Sequence, residues 1–293
     1  MTTALQLQAR VFCGLALALA GASMAGARLD PRQELLAGGM LVLLLGMPHG
    51  AFDALIARQL FGVAGFKGWA LFCVGYLGMS VAVVGLWVAA PTMFLSAFLV
   101  ISALHFGGDP AAGVSRLSRG LYGGAVIVLP ALWHGDELQR LMGLVAGPAS
   151  AAVVAPVLSQ LAPIWLCATV LACALQFKAS RAGAGEWAAL AALSVAAPPL
   201  VSFCVYFCAM HSPRHILRML AGLQAAAVRR ALALALWPTL AVLLATAVLG
   251  WLAGDVPLQA RVMQLIFVSL AALTLPHMVM LEFSRRAALL PDR

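Results

Sequence analysis

Long apolar runs follow one another along almost the whole chain, at about 11–27, 35–58, 69–90, 92–106, 120–133, 141–158, 161–177, 187–210, 231–252 and 263–282. Short polar stretches punctuate them, notably Asp109–Arg119, His134–Arg140, Lys178–Glu186 and Ser212–Arg230. Few runs alternate with the two-residue period of a strand. Their Ala, Leu, Val and Gly content suits helices packed through small residues. A bilayer core of about 30 Å needs about 20 apolar residues per helix. The pattern therefore predicts an all-α, polytopic integral membrane bundle of about ten transmembrane helices, forming a single transmembrane domain over 1–293. No polar stretch is long enough for an extramembrane domain, so any active site sits within the bilayer or at its edge.

Composition agrees. Of 293 residues, 63% are hydrophobic and 10% charged, with a mean hydropathy of +1.00, against roughly 25% charged residues in soluble domains. The net charge of +8 comes mostly from arginines between apolar runs, which reads as topology determinants rather than nucleic-acid contacts. The segment 138–177 is the ambiguous one. As one span plus a loop it gives nine helices; as a proline-interrupted hairpin it gives ten. Ten spans place twelve basic residues, the Arg214–Arg230 loop and Arg293 included, on one side. Six, including Lys178 and Arg181, fall on the other. That bias predicts an inner-membrane protein with both termini cytoplasmic. The run 11–27 ends in Ala-Gly-Ala and imitates a signal peptide, but is expected to remain as the first span. The six cysteines all lie in apolar runs without a C-x-x-C pair, so free thiols are expected.

Six histidines remain: His49, His105, His134, His211, His215 and His277. In the ten-span arrangement five of them fall between mid-depth and the cytoplasmic ends of four parallel spans, with His134 in the opposite leaflet. An ionisable group inside a membrane is costly without a partner or a function, and five at similar depth suggest a metal site. His211 and His215 are four apart, on one helix face, although Pro213 between them distorts the turn. His49 and Asp53 share that spacing, which makes Asp53 the expected acceptor for the second His49 N–H. Asp109 would relate to His105 likewise if helix continued through Gly107-Gly108. Gly46 and Gly50 allow close approach beside His49. Imidazole suits zinc, copper, iron or nickel, and iron follows if the site performs oxygen chemistry. Phe52, Phe106, Met47, Met210, Phe203, Phe207 and Met278 are candidate walls of an apolar tunnel.

The blocks P-H-G-A-F-D at 48–53, H-F-G-G-D at 105–109, H-S-P-R-H at 211–215 and L-P-H at 275–277 resemble the Brp/Blh family of microbial integral-membrane β-carotene 15,15′-dioxygenases. That resemblance implies Fe(II)-dependent cleavage of the central double bond of all-trans-β-carotene by O2, giving two all-trans-retinal molecules. It implies His49, His105, His211 and His215 as iron ligands; His277, Asp53 and Asp109 are expected behind them or lining the pocket. The implied partners are β-carotene or a related carotenoid, O2 and the lipid bilayer, with a rhodopsin as candidate recipient of the retinal. Competing readings are a di-iron desaturase, for which the histidines are too few, and a bis-histidine haem protein. The non-enzymatic alternative is a carotenoid- or retinal-binding protein, or a transporter with a histidine-lined path.

Overall fold

The computed structural model describes residues 3–110 and 114–286, and every regular element among them is helical. Helix α1 (Thr3–Met24) is followed by α2 (Pro31–Leu41), which runs through a π-helical turn, Val42–Gly46, and a 3-10 turn, Met47–Phe52, into α3 (Asp53–Phe61). Then come α4 (Gly65–Ala89), α5 (Pro91–Phe106), α6 (Arg116–Val128), α7 (Ala131–Ala146), α8 (Pro148–Ala179) and α9 (Arg181–Ala196). Helix α10 (Pro199–Val205) passes through a second π-helical turn, Tyr206–His211, into α11 (Ser212–Leu220), and α12 (Ala225–Leu252) and α13 (Leu258–Arg286) close the chain. Arg293 lies outside the described residues.

Six helical stretches are long and apolar enough to cross a membrane: α1, the bent rod Pro31–Phe61, α4, α8, α12 and α13. The all-helical membrane bundle is therefore as expected, and six of its helical stretches meet the length and composition of a crossing on their own. The six cysteines are free thiols.

Several boundaries differ from the sequence reading, among them the polar stretch His134–Arg140, which lies within α7. The runs 141–158 and 161–177 are not a hairpin: residues 148–179 form one helix, with Pro156 and Pro163 inside it. The break falls earlier, at Gly147, whose φ of 86° is open to glycine, with Pro148 starting the new helix. Conversely, the run 187–210 is broken at Ala197-Pro198, where extended backbone ends α9. Trp165 of α8 donates to the Leu121 carbonyl at 3.0 Å, and Ser159 faces Gly135. Helix α8 thus runs back along α6 and α7 in series, and the 178–181 turn returns to the Arg116 end. His134 sits in the α7 kink (φ −126°, ψ 33°) with Nε2 3.3 Å from the Ala196 carbonyl oxygen, apart from the other histidines.

Two of α6's own glycines allow its close approach to α5 and α8. A Cβ at Gly123 would overlap the Ala103 carbonyl of α5, and one at Gly124 would overlap the Trp165 ring of α8. Gly120, one turn earlier, faces open space. Gly123→Val is expected to cost about 3 kcal/mol or more by overpacking, read as a lowered unfolding midpoint in detergent, whereas Gly120→Val should leave the midpoint within about 0.5 kcal/mol of wild type.

Candidate metal centre

Five histidines from four separate stretches of chain meet in the bundle. His49 lies in the 3-10 turn Met47–Phe52, His105 in the last turn of α5, and His211 ends the π-helical turn Tyr206–His211. His215 lies in α11 and His277 in α13. All five are buried. Ring centroids are 4.5 Å apart for His105 and His211, 5.0 Å for His49 and His211, and 5.3 Å for His49 and His277. His215 stands 5.5 Å from His49 and 5.0 Å from His277. One nitrogen from each of His49, His105 and His277 falls within 4.8 Å of the other two, a grouping that could hold a metal ion.

Prolines shape these turns, and each leaves a carbonyl that must find a donor inside the bundle. Pro276 removes the N–H that would reach the Ala272 carbonyl, and Ser80 of α4 donates there instead at 2.9 Å. Pro213 likewise frees the Ala209 carbonyl, which accepts from Gln8 of α1 at 2.7 Å. Where π geometry gives way to 3-10 at Met47-Pro48, Ser212 donates to the Leu45 carbonyl at 2.7 Å. The same bonds that repair the broken helices hold α1, α4 and α11 against them.

Second-nitrogen bonds fix the tautomers. The Gly46 carbonyl 2.6 Å from His49 Nδ1 can only accept, so Nδ1 carries the proton and Nε2 is left with its lone pair. His211 Nδ1 donates to Asp109 at 2.9 Å, and His277 Nδ1 donates to Asp53 at 2.7 Å. The Nε2 atoms of His211 and His277 are buried with no hydrogen-bond partner. Neutral imidazoles gathered in one buried cluster, with carboxylates behind two of them, fit a divalent transition-metal ion. Asp53 and Asp109 also supply two buried negative charges, which would offset the charge of an ion held by neutral imidazoles.

The carboxylates pair differently from the sequence reading. Asp53 serves His277 across the bundle, not His49 one turn away, because His49 Nδ1 is taken by its own backbone. Among the described residues Asp53 makes no salt bridge with Arg58, and its other oxygen accepts from Tyr76 at 2.9 Å. Helix α5 stops at Phe106, and a turn through Gly107-Gly108 swings Asp109 to His211 rather than His105. Burial works against charge on Asp109, but His211 beside it, with the Tyr206 hydroxyl and Arg218, holds its carboxyl below the usual carboxylate range.

A polar network behind Asp109 went unread in the sequence. Arg214, fully buried, makes two 2.7 Å bonds to Glu186 of α9 and also donates to Gln8 and to the Asp109 carbonyl. Arg218 bonds the Gly108 and Asp109 carbonyls at 2.9 and 2.7 Å. The only sequence signal was the arginine inside H-S-P-R-H.

A cavity of about 520 Å³ opens beside the histidines, between α4, α12, α13 and residues 43–54, and reaches His49, Asp53 and His277. Its rim residues Leu77 and Trp237 are 58% and 72% exposed on the face that lipid covers. Thr239 and Thr274 give their hydroxyls to carbonyls of their own helices, so the walls are functionally apolar. Of the tunnel candidates only Met47 lines this cavity. Phe203 lines a second, smaller one of about 90 Å³, Phe52, Phe106, Phe207 and Met210 are core residues, and Met278 lines neither. Gly46 packs directly on the Phe207 ring, and Gly50 faces open space.

The family described as "Beta-carotene 15,15′-dioxygenase" matches residues 40–284. A beta-carotene 15,15′-dioxygenase from uncultured marine bacterium 66A03 is 31% identical over 260 residues, covering 83% of this chain and 91% of the relative. A probable beta-carotene 15,15′-dioxygenase Blh from Halobacterium salinarum is 27% identical over 83% of this chain and 82% of its own length. No solved structure matches.

Removing one member of a buried ion pair leaves the other charge stranded. Glu186→Ala is therefore expected to cost about 3–5 kcal/mol, and the double replacement Glu186→Leu with Arg214→Met should recover most of it. Unfolding midpoints in detergent check both.

Proposed function

The chain belongs to the beta-carotene 15,15′-dioxygenase family, and on that premise we propose that it cleaves the central double bond of all-trans-β-carotene with O2, iron-dependently, to give two molecules of all-trans-retinal. The observation that carries this reading is the position of the histidine cluster at the inner end of an apolar, lipid-facing cavity. The proposed ligands are His49, His105, His211 and His215, and His277 joins them, because one of its nitrogens groups with those of His49 and His105 while its Nδ1 is tied to Asp53. Iron bound there supplies the redox centre that lets O2 react with a polyene. The carbon–carbon double bond breaks, and each of its two carbons takes one oxygen atom, so no other reductant enters.

The chain's own contributions are binding, positioning and exclusion of water. A hydrocarbon offers no polar handle, so the apolar walls choose the reacting bond by how far the polyene can slide in before meeting the histidines. Helix α4 packs on α13, while α12 packs on residues 47–61, which leaves the space between α4 and α12 as the route from lipid. Clustering of the histidines supports a metal centre over a histidine-lined ion path, which would spread them through the membrane. Retinal leaves by the same lateral route, where a rhodopsin in the bilayer would receive it.

Expressed in cells that make β-carotene, the protein should bleach the orange colour and accumulate all-trans-retinal, and His105→Ala or His211→Ala should leave the colour intact. Unchanged carotenoid, or aldehydes of unequal length, would overturn the reading. Chelation of the purified enzyme should abolish turnover, and Fe(II) should restore it where Zn(II) does not.

An inner-membrane location with both termini cytoplasmic is proposed with ten passes re-divided, α6 with α7, α8, α9, and α10 with α11 replacing the four runs between 120 and 210. Because α8 runs back along α7 and α6, Lys178 and Arg181 fall at the Arg116 end rather than the opposite one, which would strengthen the positive-inside bias. Reporter fusions after Lys178 and Arg230 should both report cytoplasm; a periplasmic signal at Arg230 would contradict the topology.

A further inference from the structure

Two hydrogen-bonded chains of the same composition converge on the histidine cluster. In one, Tyr206 donates to Asp109 at 2.5 Å and Asp109 accepts from His211. In the other, Tyr76 donates to Asp53 at 2.9 Å and Asp53 accepts from His277. Each ends in a buried imidazole whose Nε2 has no hydrogen-bond partner. Their outer ends differ. Tyr206 is fully buried behind Tyr122 and Phe12. Tyr76 belongs to α4 and forms part of the wall of the large cavity, together with Asp53 and His277.

We propose that Tyr76 is a positioning residue that couples occupancy of the apolar cavity to the geometry of His277 at the metal centre, through Asp53. This rests on the metal reading of the preceding subsection. The physical reason is competition for the phenol. When the cavity holds water, the Tyr76 hydroxyl and the edge of Asp53 that lines the cavity have alternative partners. When it holds a hydrocarbon they have none, and the phenol's remaining acceptors are Asp53 and, at 3.5 Å, the Leu273 carbonyl one turn before His277. A carotenoid therefore fixes the carboxylate, and the carboxylate fixes the imidazole. Linkage makes the effect reciprocal: carotenoid tightens metal binding, and metal tightens carotenoid binding by the same factor. The Tyr206 chain, sealed from the cavity, orients His211 without responding to substrate.

Co(II) tests this in detergent-solubilised full-length protein without O2, through its visible d–d bands and its titrated affinity. In wild type, saturating β-carotene should tighten Co(II) binding by about 5-fold or more and shift the bands. Tyr76→Phe should weaken Co(II) binding by about 10-fold in the carotenoid-free protein and abolish the response to β-carotene. Tyr206→Phe should weaken Co(II) binding comparably yet keep that response. Tyr76→Phe with wild-type affinity, spectrum and response would overturn the coupling while leaving the metal reading in place, and no Co(II) binding by wild type would overturn both. If Tyr76→Phe does not yield monodisperse protein, Asp53→Asn reads the same link: loss of the β-carotene response supports the coupling, and its retention overturns it.

Discussion

A nitrogen with a lone pair or a proton is costly to leave unsatisfied in the interior of a membrane bundle, and five imidazoles brought together there set the terms for everything around them. Each must be turned so that one ring nitrogen finds an acceptor and the other faces its neighbours. A backbone carbonyl does this for His49 and carboxylates do it for His211 and His277. The carboxylates then need donors of their own, which Tyr76 and Tyr206 supply. Behind Asp109 lies a further layer, the Arg214–Glu186 pair and Arg218, which grips the backbone of the turn that carries it. The polar core of this apolar protein is thus built outwards from the histidines.

The backbone obeys the same rule. Histidines at 49, 211 and 277 sit beside prolines or at changes from α to π or 3-10 geometry, which aim their rings inwards but free carbonyls that no helical N–H can reach. Ser80, Gln8 and Ser212 satisfy them from neighbouring helices. These three bonds are also cross-links, so repairing the helix breaks and assembling the bundle are one event. Irregular helix is tolerated here because it is buried in protein.

The sequence made the helical membrane class legible, because apolar runs and scarce charge have few other meanings. It also made the histidines legible, since they interrupt apolar runs in short blocks. It missed which partner each side chain takes. Spacing of four residues pointed Asp53 at His49, but the 3-10 turn gives His49 its own backbone acceptor and sends Asp53 across to His277. Asp109 was linked to His105 only by imagining a helix through two glycines, which instead make a turn. Boundaries failed where proline was taken as a stop: Pro156 and Pro163 ride within a helix, while Gly147 ends one. Glu186 and Arg214 looked like boundary charges because nothing in a linear pattern says that residues 28 apart will form a buried pair.

The proposed role of the histidine cluster is an iron site built from several neutral imidazoles. X-ray absorption at the iron K-edge, on protein isolated from membranes and loaded with Fe(II) without O2, tests it most directly. A single light-atom shell with strong imidazole multiple scattering, fitted by at least three imidazoles and weakened in His277→Ala and in His49→Ala, is the predicted result. A porphyrin-type scattering pattern, or an iron shell without imidazole contributions that both substitutions leave unchanged, would contradict it.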